Sequence, residues 1–160
     1  MLGVGVGTGK NIPYYPPDLQ VVGIGISRRM LERARRRAER LGRPVTLFHM
    51  DGQALDFPDE TFDSGVATFV FCSVPDPVLG LRDMRRVVRP GGRIVLLEHV
   101  RSKSPLLGRL MDLVDPLVAW LMGPHINRRT VDNVRRAGLT VERVEDLGAG
   151  GIFKLIVARK

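Results

Sequence analysis

The sequence predicts an α/β domain built on a doubly wound, mostly parallel sheet of seven strands. Two observations predict it. A short apolar run at residues 1–6 breaks into a glycine-rich segment at residues 5–9, and further apolar runs then alternate with amphipathic or polar segments. A buried strand that enters a glycine-rich turn and then a helix is typical of nucleotide-binding sheets, and alternation of strands and helices is typical of parallel sheets. We expect one domain over residues 1–160.

Seven segments have the length of strands, and several are apolar at consecutive positions, as strands covered on both faces are. The last two are separated by the short glycine-rich segment 148–151, which suits a hairpin, so one of them is expected to run antiparallel. The predicted strands are residues 1–6, 20–24, 45–50, 62–71, 93–100, 139–146 and 152–158.

Helices are predicted where caps and breakers bracket apolar residues at helical spacing. Ser27 is a favourable N-cap for the first helix, which ends near Leu41 before Gly42. The prolines of segment 13–17 limit any helix after the glycine loop, and Pro116 is expected to kink or split the third helix. The predicted helices are residues 28–41, 75–88, 105–122 and 128–137, with 53–61 as a loop or short helix.

The glycines at positions 5, 7 and 9 have the spacing G-x-G-x-G, which differs from the G-x-G-x-x-G of dinucleotide enzymes and from the P-loop signature. Glycine has no Cβ, so such a loop can adopt a positive φ and let a ligand approach the backbone closely. A tight turn without a ligand has the same composition, so the loop alone leaves both interpretations open.

The chain carries a net charge of +8, and many of its arginines lie between Arg28 and Arg43. Nucleic acid, an anionic membrane surface and plain solvent all suit such a charge. We expect no nucleic acid and retain an anionic membrane as a peripheral partner. The apolar segment 105–122 is interrupted by charges and a proline, which argues against a membrane span.

The chain has one cysteine, Cys72, which excludes an internal disulfide and fits a reducing compartment. We therefore expect a cytoplasmic protein, and we predict no metal site.

The first strand begins at residue 1 or 2, whereas domains of this class usually carry helices before it, so the chain is expected to be short at its front.

The chain resembles the class I S-adenosylmethionine-dependent methyltransferases, on the glycine loop 5–9, residues 50–58 around Asp51, and residues 86–93. This resemblance covers nearly the whole chain. Three stretches narrow it to the branch of bacterial phosphatidylethanolamine N-methyltransferases and methyltransferase-like thiol enzymes, with quinone-ring C-methyltransferases more distant. These stretches are residues 71–76, 97–102 and 125–130. The resemblance implies a Rossmann-like sheet of seven strands, with the last antiparallel.

The same resemblance implies that S-adenosylmethionine lies across the carboxyl ends of strands 1, 2 and 4. The glycine loop would pass beneath its methionine and ribose, and Asp51 would accept a hydrogen bond from the adenine amine. A turn-forming Asp before Gly is the alternative for Asp51. The predicted cofactor-binding residues are Gly5, Gly7, Thr8, Gly9, Gly25, Ile26, Met30, Asp51, Gly52, Gln53, Ala54, Thr68 and Phe69.

Glu98, His99 and His125 are the polar groups predicted to serve catalysis. A cationic amine cannot attack a methyl group, so some base must accept its proton, and histidine titrates near neutrality. A histidine that bonds the backbone is an alternative. The predicted acceptor is the amine of a lipid head group or a small thiol, with the apolar segment 106–122 over the acceptor site.

Two positions depart from the family. Gly3 and Gly25 stand where relatives carry acidic residues, and the second acid normally grips both ribose hydroxyls. Two alternatives follow. In the first, the chain is a weakened or inactive copy that acts as a membrane- or partner-binding module. In the second, Gly25 with Ser27 and Arg28 forms an NADP-type site.

Overall fold

The computed structural model describes residues 1–102, 105–122, 127–148 and 152–160. Within these residues, seven strands form one sheet, accompanied by four α-helices and a short 3-10 turn at Ile12–Tyr14. The strands are β1 (Leu2–Val4), β2 (Val21–Gly25), β3 (Val45–His49), β4 (Phe62–Thr68), β5 (Val88–His99), β6 (Thr140–Leu147) and β7 (Phe153–Arg159). The helices are α1 (Arg28–Arg40), α2 (Pro77–Val87), α3 (Pro105–Met122) and α4 (Thr130–Arg136).

The strand order is β3-β2-β1-β4-β5-β7-β6, and β1 to β5 pair in parallel. The last strand, β7, lies antiparallel between β5 and β6, with Arg159 opposite Arg93 and Phe153 opposite His99. The predicted fold class, including the antiparallel last strand, is confirmed. The order of connection reverses between β1 and β4, and at such a point a ligand crevice opens beyond the carboxyl ends of the strands.

The helices begin where side-chain caps satisfy their first amides. Ser27 Oγ accepts the backbone N–H of Met30 at 3.3 Å, which confirms the predicted N-cap of α1. Asp76 Oδ1 accepts the N–H groups of Val78 and Leu79 at 2.9 and 3.0 Å, so α2 begins at Pro77 rather than at residue 75.

The core forms on both faces of the sheet. The right-handed crossovers from β2 to β3 and from β4 to β5 run in opposite directions along the sheet, which places α1 and α2 on opposite faces. The larger hydrophobic cluster joins the sheet to α2 and α4, and includes the fully buried Leu81 and Ile156. A smaller cluster joins Ala34 and Ala38 of α1 to β3. This packing fixes the carboxyl edge of the sheet.

Several predicted bounds differ from the structure, including those of β4 and β5. β4 ends at Thr68 rather than at residue 71, because Phe69 adopts a φ of +55° and the following amides turn away from the sheet. β5 begins at Val88 rather than at residue 93, with a register shift against β4 between Phe62 and Ser64, and Gly91 in this stretch has a φ of +75°. α3 runs through Pro116 as one helix and is not split. Most of the predicted loop 148–151 lies outside the described residues.

Candidate functional site

The glycine loop follows β1 directly, and its three glycines are left-handed, with φ of +64° at Gly5, +53° at Gly7 and +74° at Gly9. A Cβ at Gly5 would lie 2.4 Å from Val70 Cγ2, and one at Gly9 would lie 3.1 Å from the backbone of Ala34 in α1. At Gly7 the nearest atom would be 4.0 Å away. The loop is therefore packed at both ends and open at Gly7, where the bare backbone forms a cradle.

The end of β2 adds an exposed apolar surface to the same edge of the sheet. Ile26 is 72% exposed and Met30 is 49% exposed, although both are large apolar residues. Gly25 brings no side chain, and a Cβ there would lie 3.3 Å from the flexible end of Leu31. The end of β2 is therefore bare at Gly25, beside an exposed apolar surface.

The turn after β3 holds Asp51 and Gln53 in fixed positions. Asp51 Oδ1 accepts the backbone N–H of Gln53 at 2.9 Å, which is the geometry of a turn-forming aspartate. Gln53 Oε1 accepts the backbone N–H of Asp76 at 2.7 Å and so ties the turn to the start of α2. Gly52 is half-buried against Val4, and Ala54 is exposed. Asp51 Oδ2 receives a longer contact from Gln53 Nε2 at 3.4 Å, and the Ala54 N–H donates to Asp51 O at 3.2 Å. The turn is therefore closed by its own hydrogen bonds at the end of β3.

Beyond β4, Thr68 and Phe69 reach the same edge. Thr68 Oγ1 accepts a hydrogen bond from Asn11 Nδ2 at 2.9 Å, which joins the end of β4 to the glycine loop. Sequence reasoning did not single out Asn11, because the contact spans 57 residues of chain. Thr8, which lies in the glycine loop, is half-buried.

Glu98 lies at the end of β5, fully buried. Its Oε1 accepts the N–H groups of Val70 and Phe71 at 3.0 and 2.9 Å, and its Oε2 accepts that of Cys72 at 3.3 Å. Burial raises the pKa of the Glu98 carboxyl, and the backbone donors oppose that rise. Both carboxyl oxygens therefore hold the loop that follows β4.

Cys72 is buried within this loop and is 3% exposed. Burial, together with the nearby Glu98 carboxylate, raises the pKa of its thiol to about 11. A thiol becomes nucleophilic only as the thiolate, so this cysteine has the environment of a structural residue rather than a reactive one.

An aromatic cluster covers the ends of β4 and β5. The ring of Phe153, the first residue of β7, lies edge-to-face against Phe69 at 5.9 Å and against His99 at 5.2 Å between centroids. Phe69 and Phe153 stay 45% and 37% exposed, whereas His99 is half-buried. Phe153 was not predicted as a site residue. The signal was its pairing with His99 between β5 and β7, which can be seen only once the strand register is known.

The structure brings together the predicted residues that end β1, β2, β3, β4 and β5, because the carboxyl ends of these parallel strands share one edge. His125 lies outside the described residues.

A separate open cleft of about 490 Å³ lies beside α2 and shares only Gln53 and Ala54 with the predicted cofactor residues. Within the described ranges, no group of three or more His, Cys, Asp or Glu side chains has a metal-binding arrangement.

A comparison with protein families matches residues 2–96 to the methyltransferase domain. This chain belongs to the class I S-adenosylmethionine-dependent methyltransferases. It is 38% identical to a phosphatidylethanolamine N-methyltransferase of Cereibacter sphaeroides, over 98% of this chain and 77% of that protein. A demethylmenaquinone methyltransferase of Anoxybacillus flavithermus is 39% identical over 58% of this chain, which corresponds to 38% of the relative.

Solved structures of this methyltransferase fold superpose on nearly the whole chain. The cyclase SpnF gives a TM-score of 0.83 at 21% identity, covering 99% of this chain and 73% of its own. A methyltransferase of Methanosarcina mazei gives 0.79 at 22% identity, covering 99% and 91%. These structural similarities establish the fold. Because one of the similar structures is a cyclase, the fold alone does not determine the reaction. Membership in the family implies the use of S-adenosylmethionine.

Proposed function

We propose that this methyltransferase transfers a methyl group from S-adenosylmethionine to the amine of a lipid head group. The main support for cofactor binding is the open, left-handed backbone at Gly7. This residue lies just after the carboxyl end of β1, where the strand order of the sheet reverses. Residues with side chains cannot form this cradle without strain, and it lies where doubly wound sheets bind ligands.

The surrounding residues fit the cofactor by their chemistry. The exposed apolar Ile26 and Met30 suit the adenine ring. Asp51, Gly52, Gln53 and Ala54 would offer one carboxylate oxygen and backbone groups to its polar edge. The loop Gly5–Gly9 would lie beneath the ribose and methionine, and Thr68 and Phe69 would flank the sulfonium. Gly25 leaves the ribose without a carboxylate, so we expect weak binding.

The sulfonium supplies an electrophilic methyl group, so the protein has to bind, align and exclude water. Alignment of two reactants is worth up to about 7–11 kcal/mol in model reactions. An ammonium acceptor must lose a proton before it attacks, and we assign that proton to His99, with His125 as the second candidate base. Glu98, which is bonded to three backbone amides, acts by fixing the loop beside the methyl group.

The choice of acceptor rests on the relative that matches the chain along nearly its full length, the phosphatidylethanolamine N-methyltransferase. The quinone methyltransferases match a smaller part. A lipid acceptor requires that the protein reaches a membrane surface. Among the described residues, none of the helices combines the length and the apolar composition required to cross a bilayer. We propose that the contact is peripheral.

Helix α3 carries an apolar face that suits such contact. Leu106, Leu110, Leu113 and Leu117 are 83%, 53%, 77% and 63% exposed. At 3.6 residues per turn they occupy an arc of only about 60°. Leucines on one face of a helix that lies in the membrane interface insert among the acyl chains. We propose that this leucine face of α3 enters an anionic lipid surface.

The opposite face of α3 is bound to the protein by polar groups. Arg101 donates to both oxygens of Asp112 at 2.8–3.1 Å, and its guanidinium crosses the helix at Gly108, where a Cβ would lie 2.6 Å from it. The buried Asp115 accepts the backbone N–H of Asn127 at 3.3 Å. Soluble helices bury their apolar face, whereas this helix buries an aspartate and exposes leucines.

Charge complementarity supports anionic lipid as the occupant of the leucine face. Arg109, exposed beside Leu106 and Leu113, forms no ion pair among the described residues, while Asp112 is neutralised by Arg101. The arginines that open α1, Arg28 and Arg29, are exposed at the same carboxyl edge of the sheet. Positive charge around an apolar face favours negatively charged membranes.

Transfer of a radiolabelled methyl group tests the activity. The acceptors are phosphatidylethanolamine vesicles, a small thiol and a quinol, each with S-adenosylmethionine at saturating concentration. We expect label in the lipid. Label in the thiol or the quinol alone would overturn the lipid assignment, and transfer to no acceptor would overturn the enzymatic proposal.

Vesicle co-sedimentation tests the leucine face of α3. We expect binding to phosphatidylcholine mixed with phosphatidylglycerol, and a loss of about tenfold or more in the variant L106Q/L113Q. Leu79→Gln is the matched control, since Leu79 is 48% exposed on a different helix, α2. Unchanged vesicle binding of the double variant, or a wild-type dimer that the double variant converts to a monomer, would contradict lipid contact.

A further inference from the structure

We propose that Phe69 and Phe153 form a binding surface for a methylated ammonium group, which ranks acceptors by the number of methyl groups they carry. The inference rests on the proposed function, because it places the substrate amine beside β4 and β5. It assigns to Phe153 a role in substrate recognition, and it predicts a preference among amines, thiols and neutral acceptors.

The two rings are exposed although they touch. Their centroids lie 5.9 Å apart at an interplanar angle of 82°, and Phe69 and Phe153 keep 45% and 37% of their surface accessible. His99 adds a third ring, 5.2 Å from Phe153 at 86°. Edge-to-face rings hold one another in place. The cluster is therefore a preformed aromatic surface rather than a set of mobile side chains.

The backbone fixes both phenylalanines at the point where a methyl group would be delivered. Phe69 has a φ of +55°, a conformation that a bulky residue rarely adopts. The next three amides are bound by the buried Glu98 carboxylate, and the Phe69 N–H donates to Leu97 O at 2.8 Å. Phe153 lies opposite His99 in the β5–β7 ladder. A locally strained, exposed aromatic residue that its surroundings fix in place indicates a functional position.

Aromatic rings attract cations through their quadrupole, and methylated ammonium groups are the ligands that such surfaces recognise. Each methyl group added to an ammonium replaces one of its N–H donors, so the protein needs one hydrogen-bond acceptor fewer to bind it. No carboxylate is required at the rings for a quaternary ammonium. Cation–π attraction favours a cation over its neutral isostere by about twofold to thirtyfold.

The probes are phosphocholine and 3,3-dimethylbutyl phosphate, which share the phosphate and the shape but differ in the positive charge. Binding to the full chain is measured by NMR titration without S-adenosylmethionine. We expect phosphocholine to bind about tenfold more tightly than the isostere, and more tightly than phosphoethanolamine. Equal affinities for the two isosteric probes, or binding of neither, would overturn the proposal.

Phe153→Leu and Phe69→Leu should each reduce the preference for phosphocholine to about twofold or less, while Phe153→Trp should retain it. Phe48→Leu is the matched control, because Phe48 is 42% exposed and forms its own edge-to-face pair with Phe57 at 5.8 Å. Thermal unfolding of every variant separates loss of the surface from loss of the fold. Retention of the preference in folded Phe153→Leu would refute the assignment.

The outcomes separate this inference from the proposed function. Selective binding of phosphocholine by a protein that transfers no methyl group would support the aromatic surface and refute the enzymatic proposal. Methyl transfer to lipid by a protein that binds both isosteres equally would refute the aromatic surface alone.

Discussion

Phe71 donates its backbone N–H to Glu98 Oε1 over 2.9 Å, and this bond ties the loop after β4 to the end of β5. Val70 and Cys72 donate to the same carboxylate. Three amides that would otherwise be buried without partners are thereby satisfied. The shape of the loop beside the proposed methyl-transfer position therefore depends on one side chain.

Glu98→Gln should change how stability depends on pH. Burial raises the pKa of Glu98, so the folded state holds the proton more tightly than the unfolded state. The free energy of unfolding should then decrease as pH rises from the ordinary carboxyl value, about 4.3, through the raised folded pKa. The amide introduced by Glu98→Gln does not titrate, so the variant should lack this decrease.

Urea unfolding at a series of pH values measures this effect. Glu32→Gln, on the exposed side of α1, controls for loss of a carboxylate elsewhere. Wild-type and Glu98→Gln curves that run parallel across the whole pH range would contradict the prediction.

Gly7→Ala should weaken cofactor binding at little cost to the fold. The residue has a φ of +53° and nothing packed closer than 4.0 Å to its Cβ position, so the alanine adds only backbone strain of about 1 kcal/mol. Its methyl group would fill the cradle. Gly42→Ala has the matching φ of +59° in open space at the end of α1.

Calorimetric titration with S-adenosylhomocysteine and thermal unfolding compare these two variants. Similar melting temperatures, with weaker binding in Gly7→Ala alone, are expected. Equal affinity in both variants would remove the glycine loop from the cofactor site.

Gly25→Asp should tighten the binding of S-adenosylmethionine by about a hundredfold or more, since two charge-assisted hydrogen bonds to ribose are worth roughly 1.5–3 kcal/mol each. The new Cβ would lie 3.3 Å from Leu31 Cδ2, and the end of that side chain can shift. Gly25→Asn keeps the shape without the charge. Titration calorimetry that gives one affinity for all three proteins would disprove the role of this position.

Cys72 should resist alkylation in the folded protein. Its thiol is 3% exposed and its pKa is raised to about 11, so little thiolate exists near about pH 8. Labelling with iodoacetamide, followed by mass spectrometry, should show reaction only after unfolding. Rapid labelling of the native protein would show that the loop held by Glu98 opens readily.

Local sequence signals predict much of the fold. Ser27 marks the start of α1 because an N-cap acts within three residues, and the alternation of strands and helices predicts the parallel sheet. The predicted end of β4 at residue 71 is wrong because the positive φ of Phe69 depends on Glu98, which is distant in sequence. Local pattern carries no information about such a partner.

In the candidate site too, local sequence predicts some features, whereas others depend on residues distant in sequence. The left-handed loop at Gly5, Gly7 and Gly9 follows from glycine content alone. Asn11 and Phe153 were not predicted, because their roles depend on Thr68 across 57 residues and on the register of β7 against β5. The sequence shows α3 as an apolar segment, but the outward direction of its leucine face follows from the tether between Arg101 and Asp112.

The insertion of β7 between β5 and β6 also governs how the molecule can be assembled and engineered. β7 is the last of the seven strands to leave the ribosome, so β6 has no neighbour and β5 has a bare edge until synthesis reaches Arg159. Bare edges recruit other chains. Deletions that remove β7 should therefore yield aggregates rather than a smaller domain, and fusion partners belong at surface loops instead of within this strand.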